Sequence, residues 1–253
     1  MDRASKIPTS FRLLRILEIV AETGDPVSPA QIYRQLGLPK QTGHRLCNRL
    51  VEEGYLVDSG GRRLVPGKRM RVLARQLLFG AHSEIARRQV LMSTAKAIGE
   101  TINFAVPETD GMAYVDRIET DWPLRIQLPV GSCVPFHCTA SGKAFLASLP
   151  EEKRHSVISS LDLERLTPNT IVSRAGFIDE IERVVESGFA VDREEFMEGM
   201  VAAAVPVRDG DDCFVGALAF HGPTLRLSVD DVLEKKNILV EQSRRLGEAL
   251  FRG

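Results

Sequence analysis

Residues 29–66 constrain this chain more than any other stretch. PAQIYRQLG sets Ile32 and Leu36 four apart and stops at Gly37, and LPKQTGHRLCNRLVEEG then runs to Gly54 without another breaker. That spacing predicts a short helix with one buried stripe and a glycine stop, and Ser28 in the preceding DPVSP is placed to cap its start. On a helical projection the second segment puts Gly43, Leu46, Cys47, Leu50 and Val51 on one side and Gln41, Arg45, Asn48, Arg49 and Glu52 on the other. Two helices joined by a glycine-containing turn, the second basic on its solvent side, form a helix-turn-helix pattern. YLVDSGGRRLVPG follows, with hairpin chemistry at Ser59-Gly60-Gly61 and with Arg62 and Arg63 just past the tip, which reads as a wing.

The charge distribution agrees with a polyanion-facing front end. The formal net charge of the 253 residues is −1, yet residues 1–80 hold 14 Lys/Arg against 7 Asp/Glu and residues 81–253 hold 19 against 27. A local positive field acts within about one Debye length, ~10 Å at 0.1 M salt, so the two parts are expected to meet different partners. With 43% hydrophobic and 26% charged residues the chain can bury a core. Its start meets charges too early for a signal peptide, and no window reaches the ~20 apolar residues of a membrane span, so a cytoplasmic protein is expected. The four cysteines, Cys47, Cys133, Cys138 and Cys213, are too few for a disulfide framework and lack zinc-site spacing.

Ahead of the helix-turn-helix, Phe11, Leu14, Leu17 and Ala21, flanked by Leu13, Ile16 and Val20, predict a helix ended by Gly24. Behind it, KRMRVLARQLLFG predicts an amphipathic helix over 68–80, on which Leu73, Leu77 and Leu78 are candidate interchain contacts, and a further helix runs from about Ser83 to Ile98. INFAVPETDGMAYVDRIE reads as two strands around a turn. AGFIDEIERVVESG reads as a helix with Phe177, Ile181, Val184 and Val185 inward. FAVDREE, GMVAAAVPVRD and CFVGALAFHG read as strands, with Pro206 at an edge or strand end, and Val229–Leu250 as one last helix. Strands joined by tight turns favour an α+β antiparallel sheet.

Chemistry-bearing residues fall into three groups. On the recognition helix, Gln41, Thr42 and Arg45 lie in the first two turns and are assigned base contacts, and His44 and Asn48 share the polar surface. Lys40, Arg49, Arg62 and Arg63 are assigned to the phosphate backbone. In VPFHCTASGKAFLASLP the Gly142-Lys143 pair is no phosphate loop, because His137 stands where the first glycine belongs and Ala144 where Ser or Thr belongs. A Thr-Ala-Ser-Gly turn opening a helix at Lys143 offers instead either a plain cap or amides that hold a small carboxylate. Asp192, Glu194 and Glu195 form an acidic cluster in which Asp192 and Glu194 share a strand face and Glu195 points away. No metal ligand set or cofactor site is expected. The competing reading is an enzyme that uses Asp192, Glu194 and His221 on a carboxylate substrate, with the front end as a DNA tether.

With these segments in order, the chain resembles the IclR family of bacterial transcriptional regulators. The resemblance rests on RLLRILEIVAETG, LGLPKQTGHRLCNRLVEEGYL, IGETINFAV, YVDRIE, HCTASGKAFLA, GFAVDREEFMEG and the VPVRD…GAL…GP close. It implies an α+β protein: a winged helix-turn-helix over 1–66, a linker helix over 67–80, and an effector-binding and oligomerisation domain over 81–253 with a GAF-like or profilin-like antiparallel sheet flanked by helices. It further implies a non-enzymatic regulator of a catabolic operon, a homodimer or dimer of dimers on a palindromic double-stranded operator, and a small organic or aromatic carboxylic acid as effector. Carried over by position, Ala140 and Ser141 fall in the loop whose amides hold the effector carboxylate, and Asp192 matches a pocket acid. Ala202, Ala219 and His221 depart from the glyoxylate- and pyruvate-binding pattern, which has Cys at the first position and Ser at the other two. Small side chains there favour an aromatic or longer acid, with His221 as a polar partner and Ile126, Val134 and Met200 as the apolar wall.

Overall fold

The computed structural model describes residues 7–79 and 81–251. The chain divides into two compact units, residues 1–80 and 81–253.

In the first unit a 3₁₀ turn, Thr9–Phe11, leads into α1 (Arg12–Thr23), followed by α2 (Pro29–Gln35), α3 (Lys40–Glu52), β1 (Leu56–Asp58), β2 (Leu64–Pro66) and α4 (Lys68–Phe79). Ser28 caps α2 reciprocally: its hydroxyl accepts the Gln31 amide at 3.3 Å, and the Gln31 side chain accepts the Ser28 amide at 2.9 Å. α1 buries Ile16, Ile19 and Val20, with Leu13 and Leu17 partly covered. Phe11 and Leu14 are 56% and 51% exposed, and Ala21 is exposed too. The i, i+3, i+4 set at 16, 19 and 20 decides which face turns inward, and Phe11 and Leu14 lie off it. Below α1, Ile32, Leu36, Leu38, Cys47, Leu50, Leu56 and Leu64 complete one core. The wing pairs Leu56 with Pro66 and Asp58 with Leu64, and a Val27–Leu64 bridge ties it to the segment before α2. Leu73 on α4 is 45% exposed, whereas the side chains of Leu77 and Leu78 lie outside the described residues.

The second unit runs α5 (Ala81–Ile98), β3 (Thr101–Pro107), β4 (Met112–Ile118), β5 (Cys133–Val134), α6 (Ala140–Ser148), α7 (Glu151–Ser160), α8 (Arg174–Ser187), β6 (Ala190–Arg193), β7 (Met200–Arg208), β8 (Phe214–Pro223), α9 (Val229–Glu234) and α10 (Lys236–Phe251). Its strands form a six-stranded antiparallel sheet in the order β5-β4-β3-β8-β7-β6, the α+β architecture expected. Pro206 lies in an inner strand, but β6 pairs β7 only as far as Ala204, and the Pro206 carbonyl accepts the Ser243 hydroxyl of α10 at 2.6 Å. Its ring nitrogen therefore faces the flank that β6 does not reach, and no ladder bond is lost.

Cross-strand partners share a face, so the register sorts the sheet into two sides. Asp192 pairs with Ala202, Ala202 with His221 and His221 with Thr101, and one step along Ala190, Ala204, Ala219 and Asn103 line up in the same way. Arg117 faces Asn103, and beyond a bulge at Phe104/Ala105 Tyr114 joins this side. We call it the inner face; α6 packs on it, and α5 and α10 cover the other. α6 meets β3, β8, β7 and β6 alike, and the sheet curls around it.

Two helices differ from expectation. Val185 on α8 is 44% exposed because Phe177, Ile181 and Val184 already fill the stripe. The last helix is two, α9 with its own Ser228/Asp231 capping box and α10, with Lys235 between them. No helix among the described residues is long and apolar enough to cross a membrane.

A Cβ on Gly43 would stand 2.4 Å from Tyr33 Cβ, where α3 crosses α2. Gly43→Ala is expected to destabilise the first unit by about 1–3 kcal/mol through overpacking, read as a lower midpoint in urea unfolding of the full chain.

Candidate nucleic-acid interface and ligand site

α3 presents the side chains that the sequence assigns to it. Lys40, Gln41, His44, Arg45, Asn48 and Arg49 line one open surface together with Leu46 and Glu52. Gln41, Arg45 and Asn48 are exposed along it, while Thr42 is half-buried. His44 is also half-buried, its ring 5.7 Å from that of Tyr33, so it belongs partly to the α2–α3 contact. Arg49 is ion-paired with Glu53 at 2.8 Å and near Glu52 at 3.4 Å. On the wing, Arg62 holds φ 59° at the tip and is exposed, whereas Arg63 donates to the Pro26 carbonyl at 3.3 Å.

The ligand candidates gather on and around the inner face. Val134, Ala140, Ala202 and Ala219 belong to one buried cluster with Ala105, Ala190, Ala204 and Ala217. Ser141, Asp192, Met200 and His221 are all buried as well, and Ile126 is partly so. α6 begins at Ala140, not at Lys143: Thr139 is the cap and accepts the Gly142 amide at 3.2 Å, and the Lys143 amide already bonds the Thr139 carbonyl. The amides of Ala140 and Ser141, in the first turn, have no intrahelical acceptor.

Glu195 turns inward, contrary to simple alternation. The strand ends at Arg193, and Glu194 at φ 60° reverses the chain. The Glu195 and Phe196 amides then donate to Asp192 Oδ1 at 2.7 and 3.4 Å, and Glu194 accepts the Gly199 amide at 2.7 Å. Asp192 Oδ2 is buried without a hydrogen-bond partner. Burial pushes the Asp192 carboxyl up to about 7, with the Glu195 charge adding to the rise and the amide bonds and Lys143 opposing it.

His221 closes the far end of the face. Asn103 Oδ1 accepts from Arg117 at 3.0 Å, so the Asn103 amide donates to His221 Nδ1 at 3.0 Å. The ring proton is then on Nε2, 3.4 Å from the Ile126 carbonyl. Burial and the Arg117 charge push His221 down to about 4, so the ring is neutral at pH 7. Arg117 also donates to the Leu128 and Ile126 carbonyls at 3.0 and 2.5 Å, which fastens the loop after β4 across this end. The enzyme trio is therefore not assembled: His221 uses both ring nitrogens, and Glu194 serves a turn.

A family model described as the IclR helix-turn-helix domain matches residues 11–59, and the bacterial transcriptional regulator IclR C-terminal model matches residues 82–247. The chain belongs to the IclR family. It is 38% identical to the probable transcriptional regulator SauR of Cupriavidus necator over 226 residues, covering 88% of this chain and 89% of that one. It is 26% identical to the transcriptional repressor IclR of Escherichia coli K12, over 95% and 89% of the two chains. The crystal structure of Thermotoga maritima IclR superposes with a TM-score of 0.63 at 24% identity, over 96% of this chain and 98% of that one. An IclR homologue from Microbacterium hydrocarbonoxydans complexed with 4-hydroxybenzoate superposes with a TM-score of 0.60 at 22% identity, over 97% and 100%. The protein is thus a transcriptional regulator with a DNA-binding helix-turn-helix and a C-terminal effector domain, and not an enzyme.

Within this IclR-family domain the sequence reading missed one ion cluster. Lys143 is fully buried, its Nζ 2.7 Å from Glu195 and 3.0 Å from Glu180 of α8. The signal was there: Lys143 is in phase with buried Ala140 and Leu146, and Glu180 with buried Phe177 and Val184. Opposite charges in phase with two buried stripes call for each other. Lys143→Met is expected to cost about 3–5 kcal/mol in chemical unfolding, because it strands the buried Glu195 carboxylate, whereas Glu180 keeps Arg183 and Arg193.

Asp192 gives a pH test. Its folded value lies above its ordinary one near 3.8, so its stabilising protonated form is complete below that value and lost as pH rises through about 7. The melting temperature of Asp192→Asn relative to wild type should therefore climb between about pH 4 and about pH 8 in paired thermal melts.

Proposed function

We propose that the protein is a regulator of a catabolic operon that binds a palindromic operator as a homodimer or dimer of dimers and responds to a small organic or aromatic carboxylic acid. In this reading residues 1–66 read DNA, 67–80 form a linker helix, and 81–253 bind effector and oligomerise, with Leu73 offered to a second copy. Gln41, Thr42 and Arg45 contact bases, His44 and Asn48 flank them, and Lys40, Arg49, Arg62 and Arg63 contact phosphates. Half-sites then lie ~34 Å or a multiple apart.

What supports the effector class is two first-turn amides of α6 without an intrahelical acceptor and, on the alanine-lined face against which α6 packs, a buried acid in no ion pair with one oxygen unpartnered. Helix-start amides favour an anionic oxygen. Ala140, Ser141 and Asp192 form the polar end, Ala202 and Ala219 the floor, and Ile126, Val134 and Met200 apolar sides, while His221 with its neutral ring lies at the far end. A floor of methyl groups suits an aromatic or longer acid better than a two- or three-carbon one. The effector acts by binding one arrangement of the reading heads better than another.

Footprinting on the DNA flanking the protein's own gene, with and without a panel of carboxylic acids, tests the whole reading: a protected palindrome that one acid alters supports it, and no protection above competitor DNA under any condition refutes it. Titration calorimetry in which glyoxylate bound more tightly than every aromatic acid would overturn the preference for a larger ligand.

Arg45→Ala should cost about 1–3 kcal/mol on the operator and relax sequence preference. Arg62→Ala should weaken all sequences alike and reduce the salt slope by about one. Mobility shifts across a salt series would separate the two, and identical behaviour would refute the division of roles.

A further inference from the structure

Buried acids in the second unit come with cations, and Asp192 does not. Among the described residues Glu180 and Glu195 hold Lys143, Asp116 holds Arg87 and Arg88, and Glu100 holds Arg226. Asp192, with no exposure, has two amides on Oδ1 and nothing on Oδ2. It lies beside the start of α6: α6 packs against β6, and Glu195, whose amide donates to Asp192 Oδ1 at 2.7 Å, is ion-paired with Lys143 near the start of α6 at 2.7 Å.

We propose, on the reading of this site as a carboxylic-acid site, that the site takes up a carboxylate together with one proton carried on Asp192 Oδ2, and that with Asp192 ionised the same site prefers a primary carboxamide. In the first state three donors converge: the Ala140 and Ser141 amides on one ligand oxygen and the Asp192 hydroxyl on the other. Nothing on the ligand need donate, which is what a carboxylate offers. In the second state the two amides still want an oxygen, but Asp192 Oδ2 wants a donor, and a carboxamide supplies one of each.

The reason for the proton is electrostatic. A ligand carboxylate beside an ionised Asp192 would set two like charges over an alanine floor in low dielectric, and a shared proton removes that repulsion. No neighbour can take over this task. From the turn after β6, Glu195 adds a negative charge and its amide and that of Phe196 are already on Oδ1. From α6, Lys143 spends its ammonium on Glu180 and Glu195. The segment before α6 brings only Cys138, whose thiol is pushed up to about 12 and stays protonated. β4 brings the Tyr114 phenol, also shifted upward, while β7 and β8 bring Ala202 and a neutral His221. The elevated Asp192 value puts the change of state near neutral pH.

The test is titration calorimetry of the full-length protein with 4-hydroxybenzoate and 4-hydroxybenzamide, between about pH 6 and about pH 8.5, in two buffers of different ionisation enthalpy. The acid should take up close to one proton per site at the alkaline end and lose affinity about tenfold per pH unit there. The amide should hold its affinity and gain on the acid as pH rises. Asp192→Asn, which keeps a donor but cannot titrate, should bind the acid with no proton uptake and no pH slope. Acid binding by wild type without proton uptake, or an unchanged slope in Asp192→Asn, overturns the proton coupling while leaving the ligand class intact. Failure of both probes and of every acid in the footprinting panel overturns the carboxylic-acid reading and this proposal with it. The wild-type proton count decides the matter even if the variant does not fold.

Discussion

α6 lies over the inner face of the sheet because the residues that floor that face, Ala190, Ala202, Ala204, Ala217 and Ala219, are no larger than a methyl group. A Cβ on Gly142 would come within 2.2 Å of the Phe136 carbonyl, so the helix start is pressed against the segment that leads into it. The alanines themselves contribute little burial energy at about 25 cal/mol per Å². The larger groups around them supply the packing: Phe136, Phe145 and Phe214 in successive ring contacts, and Leu146, Ile158 and Phe177 beneath.

The polar interior is organised by one reversed residue. Glu194 at φ 60° is in a conformation that typically costs about 1–3 kcal/mol for a side chain other than glycine. That turn brings the Glu195 amide onto Asp192 and the Glu195 carboxylate onto Lys143. Lys143 in turn joins α6 to Glu180 on α8. Buried ion pairs of this kind seldom add net stability over a well-packed apolar core, and their best-supported use is to fix register. Here the cluster ties α6 to the turn after β6 and to α8.

Much of the first unit was legible in the sequence because its signals are local. The Ser28 cap, the glycine stops at Gly24 and Gly37, the apolar set on α3 and the Ser59-Gly60-Gly61 tip each act within a few residues, and the structure honours all of them. The exposure of Phe11 and Leu14 was not legible, because a helix with apolar residues on most sides does not say by itself which of them faces its neighbours. His44 is a similar case: spacing puts it with the polar residues, and the Tyr33 ring on the next helix draws it partly inward.

In the second unit the sequence by itself determined the strands, most helix positions, and the presence of a capped helix start and an acid on one strand face. The resemblance named Asp192, Ala202 and His221 one by one, and the register sets them side by side. Only the tertiary structure decided that these residues share one surface, because register between β6, β7, β8 and β3 is set by pairings as many as 120 residues apart in the chain. It alone decided that the sheet curls around α6, that Lys143 finds two carboxylates, and that Asn103 and the Ile126 carbonyl occupy His221. Burial raises or lowers a pKa only when the whole surroundings of a group exclude water. The charge state of Asp192 is therefore a property of the assembled fold, although the residue that carries it was plain in the sequence.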